Sequence, residues 1–220
     1  MAKTLQELRK LNFESTRKAI SEGFSKDVLI IQTSHTLREL DEIINRLIAN
    51  LRERYGYYAP RIAREGTNEE LLNSLKNPVK DEMGVKFLDE DLKSVYELGK
   101  EIENIVNIKV EQEKYLDSLM DEVCPELKKT ATNIIGAQLL AMAGSLRRLA
   151  ELPSSTIQVL GAEKALFRHL KTGAKPPRFG FIFAHTSIAN AKESEKGKTA
   201  RRLASKISIA VKMDYFGEKK

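Results

Sequence analysis

No tryptophan occurs among the 220 residues, cysteine occurs once, and aromatic residues make up only 6% of the chain. The shortage of rings argues against a large mixed core and for a protein of long, exposed helices, which a charged fraction of 31% also suits. Cys124 stands beside Pro125 with no second thiol in the sequence, so an intramolecular disulfide framework and a thiolate zinc site are excluded. A reducing, intracellular setting is the expectation. No apolar run reaches the length of a membrane span, and the N-terminus reads as a polar amphipathic helix rather than a signal peptide. Neither a P-loop, a nucleophile elbow nor a metal-spaced cluster is present, so the expectation is a protein without enzymatic activity, cofactor or metal.

The absence with the largest consequence is local. Between Glu163 and Glu193 there is no carboxylate at all, while Lys164, Arg168, Lys171, Lys175, Arg178 and Lys192 are basic. A phosphate chain would meet no repulsion there. The formal net charge of +6 is unevenly spread: residues 147–220 hold 16 basic and 6 acidic side chains, whereas residues 1–146 hold 21 and 25. The chain has a basic end and a mildly acidic body.

Periodicity organises that body. From 27 to 54 the residues Ile30, Thr33, Leu37, Leu40, Ile44, Leu47 and Leu51 follow a heptad-like stripe, which predicts one long helix. Val95, Leu98, Ile102, Ile105, Leu116, Leu119 and Val123 predict a second, with Lys109 and Gln112 interrupting the stripe. Between them Gly56, Pro60, Gly66, Pro78 and Gly84 break regular structure, leaving room for a short helix near 68–76. The fold expected is all-α: an antiparallel coiled-coil hairpin with an irregular tip over 26–124, preceded by a helix in 1–25. A mainly α-helical globular domain with at most a short β segment follows over 125–220. Two helices bury little by themselves, so the stripe needs either the rest of the chain or a second chain to cover it; the length of the seams favours a dimer.

After Pro125 the small residues Ala131, Gly136, Ala137, Ala141, Ala143 and Gly144 predict a closely packed helix. A glycine inside a helix costs about 1 kcal/mol against alanine, so Gly136 and Gly144 are read as sites of tight packing. Ser155 and Gln158 have the spacing of a capping box, and a further helix should run from Ala162 to a left-handed cap at Gly173. On that helix Lys164, Arg168 and Lys171 recur on one face. Lys175-Pro176-Pro177-Arg178 is a stiffened basic loop. Phe179, Phe181 and Phe183 alternate as in a short strand with a buried face. The last helix, from about Gly197, turns Lys198, Arg202 and Lys206 outward with Arg201 adjacent, and Leu203, Ile207 and Ala210 inward. Binding rather than catalysis is the reading these residues support. A coiled-coil adaptor without specific RNA binding is the first alternative, and an RNA-cleaving or RNA-modifying enzyme built on His169 or His185 the second.

The run LPSSTIQVLGAEKALFRHL at 152–170, continued by KTGAKPP to 177, resembles the signature of the Nop-domain family, as do GKTARRLASK at 197–206 and MDYF at 213–216. The likeness is to the archaeal box C/D small ribonucleoprotein core protein and its nucleolar relatives. It implies recognition of a kink-turn RNA already bound by a small ribosomal-protein-like partner, pairing with itself or a paralogue through the coiled coil, and a part in guiding RNA 2′-O-methylation. By position it implies RNA contacts from Lys164, Arg168, His169, Lys171, Lys175, Arg178, His185, Lys198, Arg201 and Arg202. It places Gln158, Gly161, Ala162 and Glu163 at a composite edge against the protein partner. It also implies cytoplasm in an archaeon, or nucleolus and nucleus in a eukaryote. Family members carry a large N-terminal domain that recruits the methyltransferase fibrillarin, whereas about twenty-five residues precede the coiled coil here, so fibrillarin recruitment is not carried over. Residues 184–194 depart from the family's usual aromatic loop.

Overall fold

In a computed structural model describing residues 4–217, the chain forms twelve α-helices and one 3-10 turn, and no strand among the described residues. Residues 33–117 make one compact unit; the segments up to 32 and from 118 onward make another. The N-terminal helix α1 (Leu5–Gly23) begins at a capping box, Glu7 N–H donating to Thr4 Oγ1 and Thr4 N–H to Glu7 Oε2. Residues 1–3 and 218–220, which fall in the first and last expected domains, lie outside the described residues.

The hairpin unit is built on α2 (Asp27–Tyr55), α3 (Pro60–Glu65), α4 (Asn68–Ser74) and α5 (Asp89–Val123). α2 and α5 run antiparallel: Asp41 meets Lys109 at 2.6 Å, while Tyr55 and Val95, both near the tip, share one core cluster. The stripe read from sequence is refined toward the tip, where Ile48 and Tyr55 take buried positions and Leu47 packs only partly buried. Burying each such side chain contributes roughly 1.5–3 kcal/mol. The tip supplies its own cover: Tyr58, Ala59, Leu71 and Leu75 join the same core, and Leu75 packs so closely on Gly99 of α5 that a Cβ there would collide with it. Arg52 ties the irregular connection down, donating to the carbonyls of Ala63 and Gly66 and to Asn68 Oδ1, each at 2.8 Å.

The other unit continues with α6 (Pro125–Ala131), α7 (Asn133–Ala143), α8 (Leu146–Glu151), α9 (Ser154–Val159), α10 (Glu163–Thr172), the 3-10 turn Phe181–Ala184, α11 (Thr186–Ala189) and α12 (Lys196–Phe216). The small-residue helix expected after Pro125 is three helices. Thr132 breaks the first two with φ 71°, and Gly144 ends the second with φ 86°. Gly136 is a packing glycine, since a Cβ would stand 2.8 Å from Met120 Cε and 3.2 Å from Leu127 Cγ. Gly144 is not: nothing lies within 4 Å of where its Cβ would be, and what it supplies is a left-handed cap. α12 lays Leu203, Ala204, Ile207 and Val211 into the core and packs against α6, α8 and α9.

Two carboxylates act as remote helix caps. Asp27 is buried and accepts Leu146 N–H at 2.8 Å, at the start of α8; Asp214 accepts Glu126 and Leu127 N–H at 3.0 and 2.8 Å, at the start of α6. α6 follows Cys124, whose side chain makes no cap bond, so Asp214 does for it what a local Ser or Asp would do. Burial pushes the Cys124 thiol up to about 12, with Asp214 and Asp27 adding to the shift, so it packs as a neutral group.

Two further expectations are overturned here. The alternating phenylalanines are not a strand. Gly180 and Phe181 N–H donate to the carbonyls of Gln158 and Leu160, and the chain then closes i to i+3 bonds from Phe183 to Gly180 and from His185 to Ile182. Ile182 is therefore the buried residue and Phe183 remains 45% exposed. The capping box at Ser155 is also absent. Pro153, with extended backbone at φ −69°, ψ 150°, is the N-cap and starts α9 two residues earlier, which leaves Ser155 inside the first turn. Gln158 instead donates its side-chain amide to the Arg178 carbonyl at 2.8 Å.

Candidate nucleic-acid interface

α10 has the boundaries its sequence suggests, Ala162 as N-cap and Gly173 at φ 68° as left-handed C-cap, yet it buries none of its residues. Helical spacing sets Lys164, Arg168 and Lys171 along one exposed side. An apolar strip runs next to them, with Phe167 59% and Leu170 72% exposed. Lys171 Nζ stands 4.7 Å from the Phe167 ring centroid, a cation–π contact where the two strips meet. A helix with this much open apolar surface beside cations presents two kinds of contact at once.

The turn before α10 is fixed by sterics and a hydrogen bond. Gly161 has φ 94°, and a Cβ on it would lie 2.5 Å from the Phe181 ring, so the position requires glycine twice over. Its N–H donates to Glu163 Oε1 at 2.7 Å. Gln158 joins this turn to the basic loop through Arg178, and the two backbone bonds to Gly180 and Phe181 complete the attachment. Gln158, Gly161 and Glu163 are thus brought together with Arg178; Ala162, at the N-cap of α10, lies between them in the chain.

The histidines are engaged locally. His169 Nδ1 donates to the Ala174 carbonyl just beyond the Gly173 cap, fixing the start of the Lys175-Pro176-Pro177 loop. His185 Nδ1 accepts Ser187 N–H at 3.2 Å, capping the four residues of α11, and has Ser187 Oγ at 2.7 Å. Neither has a carboxylate hydrogen-bonded to its ring, as a paired general base would have. Among the described residues no group of three or more His, Cys, Asp or Glu could hold a metal ion, and no helix is long and apolar enough to cross a membrane.

On α12, Lys198, Arg201 and Arg202 are exposed, opposite the face carrying Leu203 and Ile207. Among the described residues Lys164, Arg168, Lys171, Lys175, Lys198, Arg201 and Arg202 form no ion pair, whereas Arg178 pairs with Glu193 at 3.1 Å. Glu193 also reaches Lys196 at 3.0 Å. Lys196, Glu193 and Phe183 belong to this surface although the sequence reading assigned them no contact; the Glu193–Lys196 spacing of three, just ahead of a helix, is the one signal that pointed there.

The family model described as "Nop: snoRNA binding domain, fibrillarin" matches residues 59–220, which contain every position named on this surface. An uncharacterized NOP5 family protein of Methanocaldococcus jannaschii is 35% identical over 93% of this chain and 56% of its own length. Nucleolar protein 56 of Bos taurus is 35% identical over 87% of this chain and 38% of its own; for nucleolar protein 58 of Schizosaccharomyces pombe the figures are 31%, 88% and 43%. The chain thus spans about half the length of the curated relatives it matches. A solved chain from a fibrillarin/Nop5p complex superposes with a TM-score of 0.58 at 27% identity, covering 97% of this chain and 71% of that one.

Proposed function

From the premise that this chain belongs to the Nop family of snoRNA-binding-domain proteins, we propose that it is a noncatalytic RNA-binding scaffold of a box C/D-type ribonucleoprotein. In this reading it recognises a kink-turn RNA together with the RNA's small primary binding protein. The observation that carries the proposal is the set of exposed cations without ion pairs, Lys164, Arg168 and Lys171 on α10 and Lys198, Arg201 and Arg202 on α12, mounted on capped or packed helices. Because the helices are already ordered, only the side chains lose freedom on meeting phosphates, and each phosphate they neutralise releases counterions.

The open apolar strip of α10 favours a protein neighbour beside the RNA, with Gln158, Gly161, Ala162 and Glu163 at that edge. The hairpin pairs with a second copy or a paralogue; the apolar Ile43, Tyr96 and Ile108, exposed along α2 and α5, support that role. Fibrillarin is named in the description of the family and is the other protein of the solved fibrillarin/Nop5p complex; its recruitment by this chain is part of the proposal only through an assembled particle. A gel-shift titration tests the reading. The chain should supershift a kink-turn RNA saturated with its small binding protein and bind the naked RNA more weakly. No ternary band at low salt would leave the coiled-coil adaptor as the better description.

A further inference from the structure

After Glu151 the described chain has four carboxylates, and their partners differ. Glu163 accepts the Gly161 N–H, Asp214 caps α6, and Glu195 stands at the N-cap position of α12 with no side-chain cap bond. Glu193 alone lies between two cations, Oε1 3.1 Å from Arg178 Nη1 and Oε2 3.0 Å from Lys196 Nζ. Those cations are the ends of a ladder. The Arg178 guanidinium stands 5.7 Å from the Phe179 centroid, Phe179 stacks on Phe183 at 5.0 Å and 18°, and Lys196 Nζ lies 5.5 Å from the Phe183 centroid. One carboxylate closes the ladder by giving an oxygen to each end.

A phosphodiester offers the same arrangement, two terminal oxygens sharing one negative charge, and it matches a guanidinium in geometry. We propose that Arg178 and Lys196 form a phosphate seat for the RNA backbone, that Glu193 occupies it as a built-in competitor in the free protein, and that RNA enters by displacing Glu193. The proposal rests on the RNA-binding reading above and adds to it a residue that opposes binding. The cations are the better-anchored members: Gln158 holds the Arg178 backbone while the Arg178 side chain, 52% exposed, lies beside Phe179, and the Lys196 side chain is only 20% exposed, lying along Phe183. The acid is the movable one, since its side chain is 72% exposed and can swing into water without uncovering a buried group. Lys196 first, and Arg178 after it, hold the Glu193 carboxyl below the usual carboxylate range, as a seat that favours an anion should. The consequence is discrimination. A loosely associated polyanion must compete with Glu193, whereas an RNA already docked on α10 delivers its phosphate at high local concentration.

Glu193→Gln and the wild type are compared by salt titration on two probes, a 20-nucleotide oligouridine and the kink-turn RNA saturated with its small binding protein. The variant should bind oligouridine about three- to tenfold more tightly, with a salt slope steeper by about 0.7, and gain less on the complex. Arg178→Ala should cost more in the Glu193→Gln background than in the wild type, a coupling that a purely structural clasp would not produce. Thermal melting of each variant reports on folding, and Glu193→Ala repeats the test without the amide. If the wild type binds but Glu193→Gln and Glu193→Ala bind no more tightly, the seat is overturned and RNA binding stands. If no protein binds either probe at low salt, the RNA-binding reading falls and the seat with it.

Discussion

The hairpin and the stretch from Leu152 to Gly217 differ in how many acids surround their cations. In the hairpin some cations are matched, Lys109 reaching Asp41 and Glu113, Lys76 reaching Glu103 and Arg52 spent on carbonyls and Asn68, while others such as Arg46, Arg54, Lys93 and Lys100 form no ion pair among the described residues. In the later stretch the few carboxylates go elsewhere, two of them to backbone N–H groups, and most cations are left facing water. In the first region Lys109 and Lys76 tie neighbouring elements together; in the second Lys164, Arg168 and Lys171 tie nothing down. A low acid count alone would not achieve this, because four well-placed carboxylates could still neutralise an RNA-binding face.

The largest effect should come from the second region. Replacing Lys164, Arg168 and Lys171 together by alanine is expected to weaken RNA binding on the order of a hundredfold and to make the salt slope shallower by about 2–3. The melting temperature should stay unchanged, because α10 buries nothing that these side chains support. A fall in stability with an intact salt slope would reverse the assignment of the two regions.

The hairpin counterpart is Lys109→Ala. The Asp41 hydrogen bond is the main reason the Lys109 pKa is raised, and the folded value lies above the unfolded one. The contribution is therefore fully present through neutral pH and is lost only as pH rises through the folded value in the alkaline range. A partly exposed pair of this kind is worth about 0.5–1 kcal/mol. Urea titration at neutral pH should show that loss, and the salt slope of RNA binding should not move. At a pH above the folded lysine value the wild type and the variant should converge.

How much of this was legible in the sequence depends on the range of the cause. α2 and α5 follow from their own apolar stripes, and α10 from Ala162 and Gly173, all local signals. The unpaired state of Arg168 and Lys171 was anticipated by the absence of acids between Glu163 and Glu193. The break at Thr132 was hidden, because a positive φ is ordinarily marked by glycine or asparagine and threonine is not such a signal. The phenylalanine alternation misled for a similar reason: the pairing of Gly180 and Phe181 with the turn before α10, not the period of the side chains, decides the local backbone. The Glu193 bridge was hidden too, because its Arg178 arm spans fifteen residues that include the 3-10 turn and α11.

Asp214, which caps a helix 87 residues earlier, was as hidden as Asp27, and it gives the smallest and most pointed test. Its carboxyl is raised above the usual aspartate value, with desolvation as the largest cause, although the Leu127 and Glu126 N–H groups pull the other way. The folded state thus holds the Asp214 proton more firmly than the unfolded state does. By linkage this part of the stability is fully present below the unfolded value and declines as pH rises through the folded one, levelling off above it. Asp214→Asn keeps an acceptor for α6 but cannot ionise, so denaturant titrations of the variant across the acid range should lack that shallow decline. If instead the wild type gains stability with rising pH there and the variant does not, then the N–H donors outweigh desolvation. Asp214 would then be a favourable ionised cap, a long-range counterpart of the hairpin's local ones, where Glu70 and Asp91 accept N–H groups at the starts of α4 and α5.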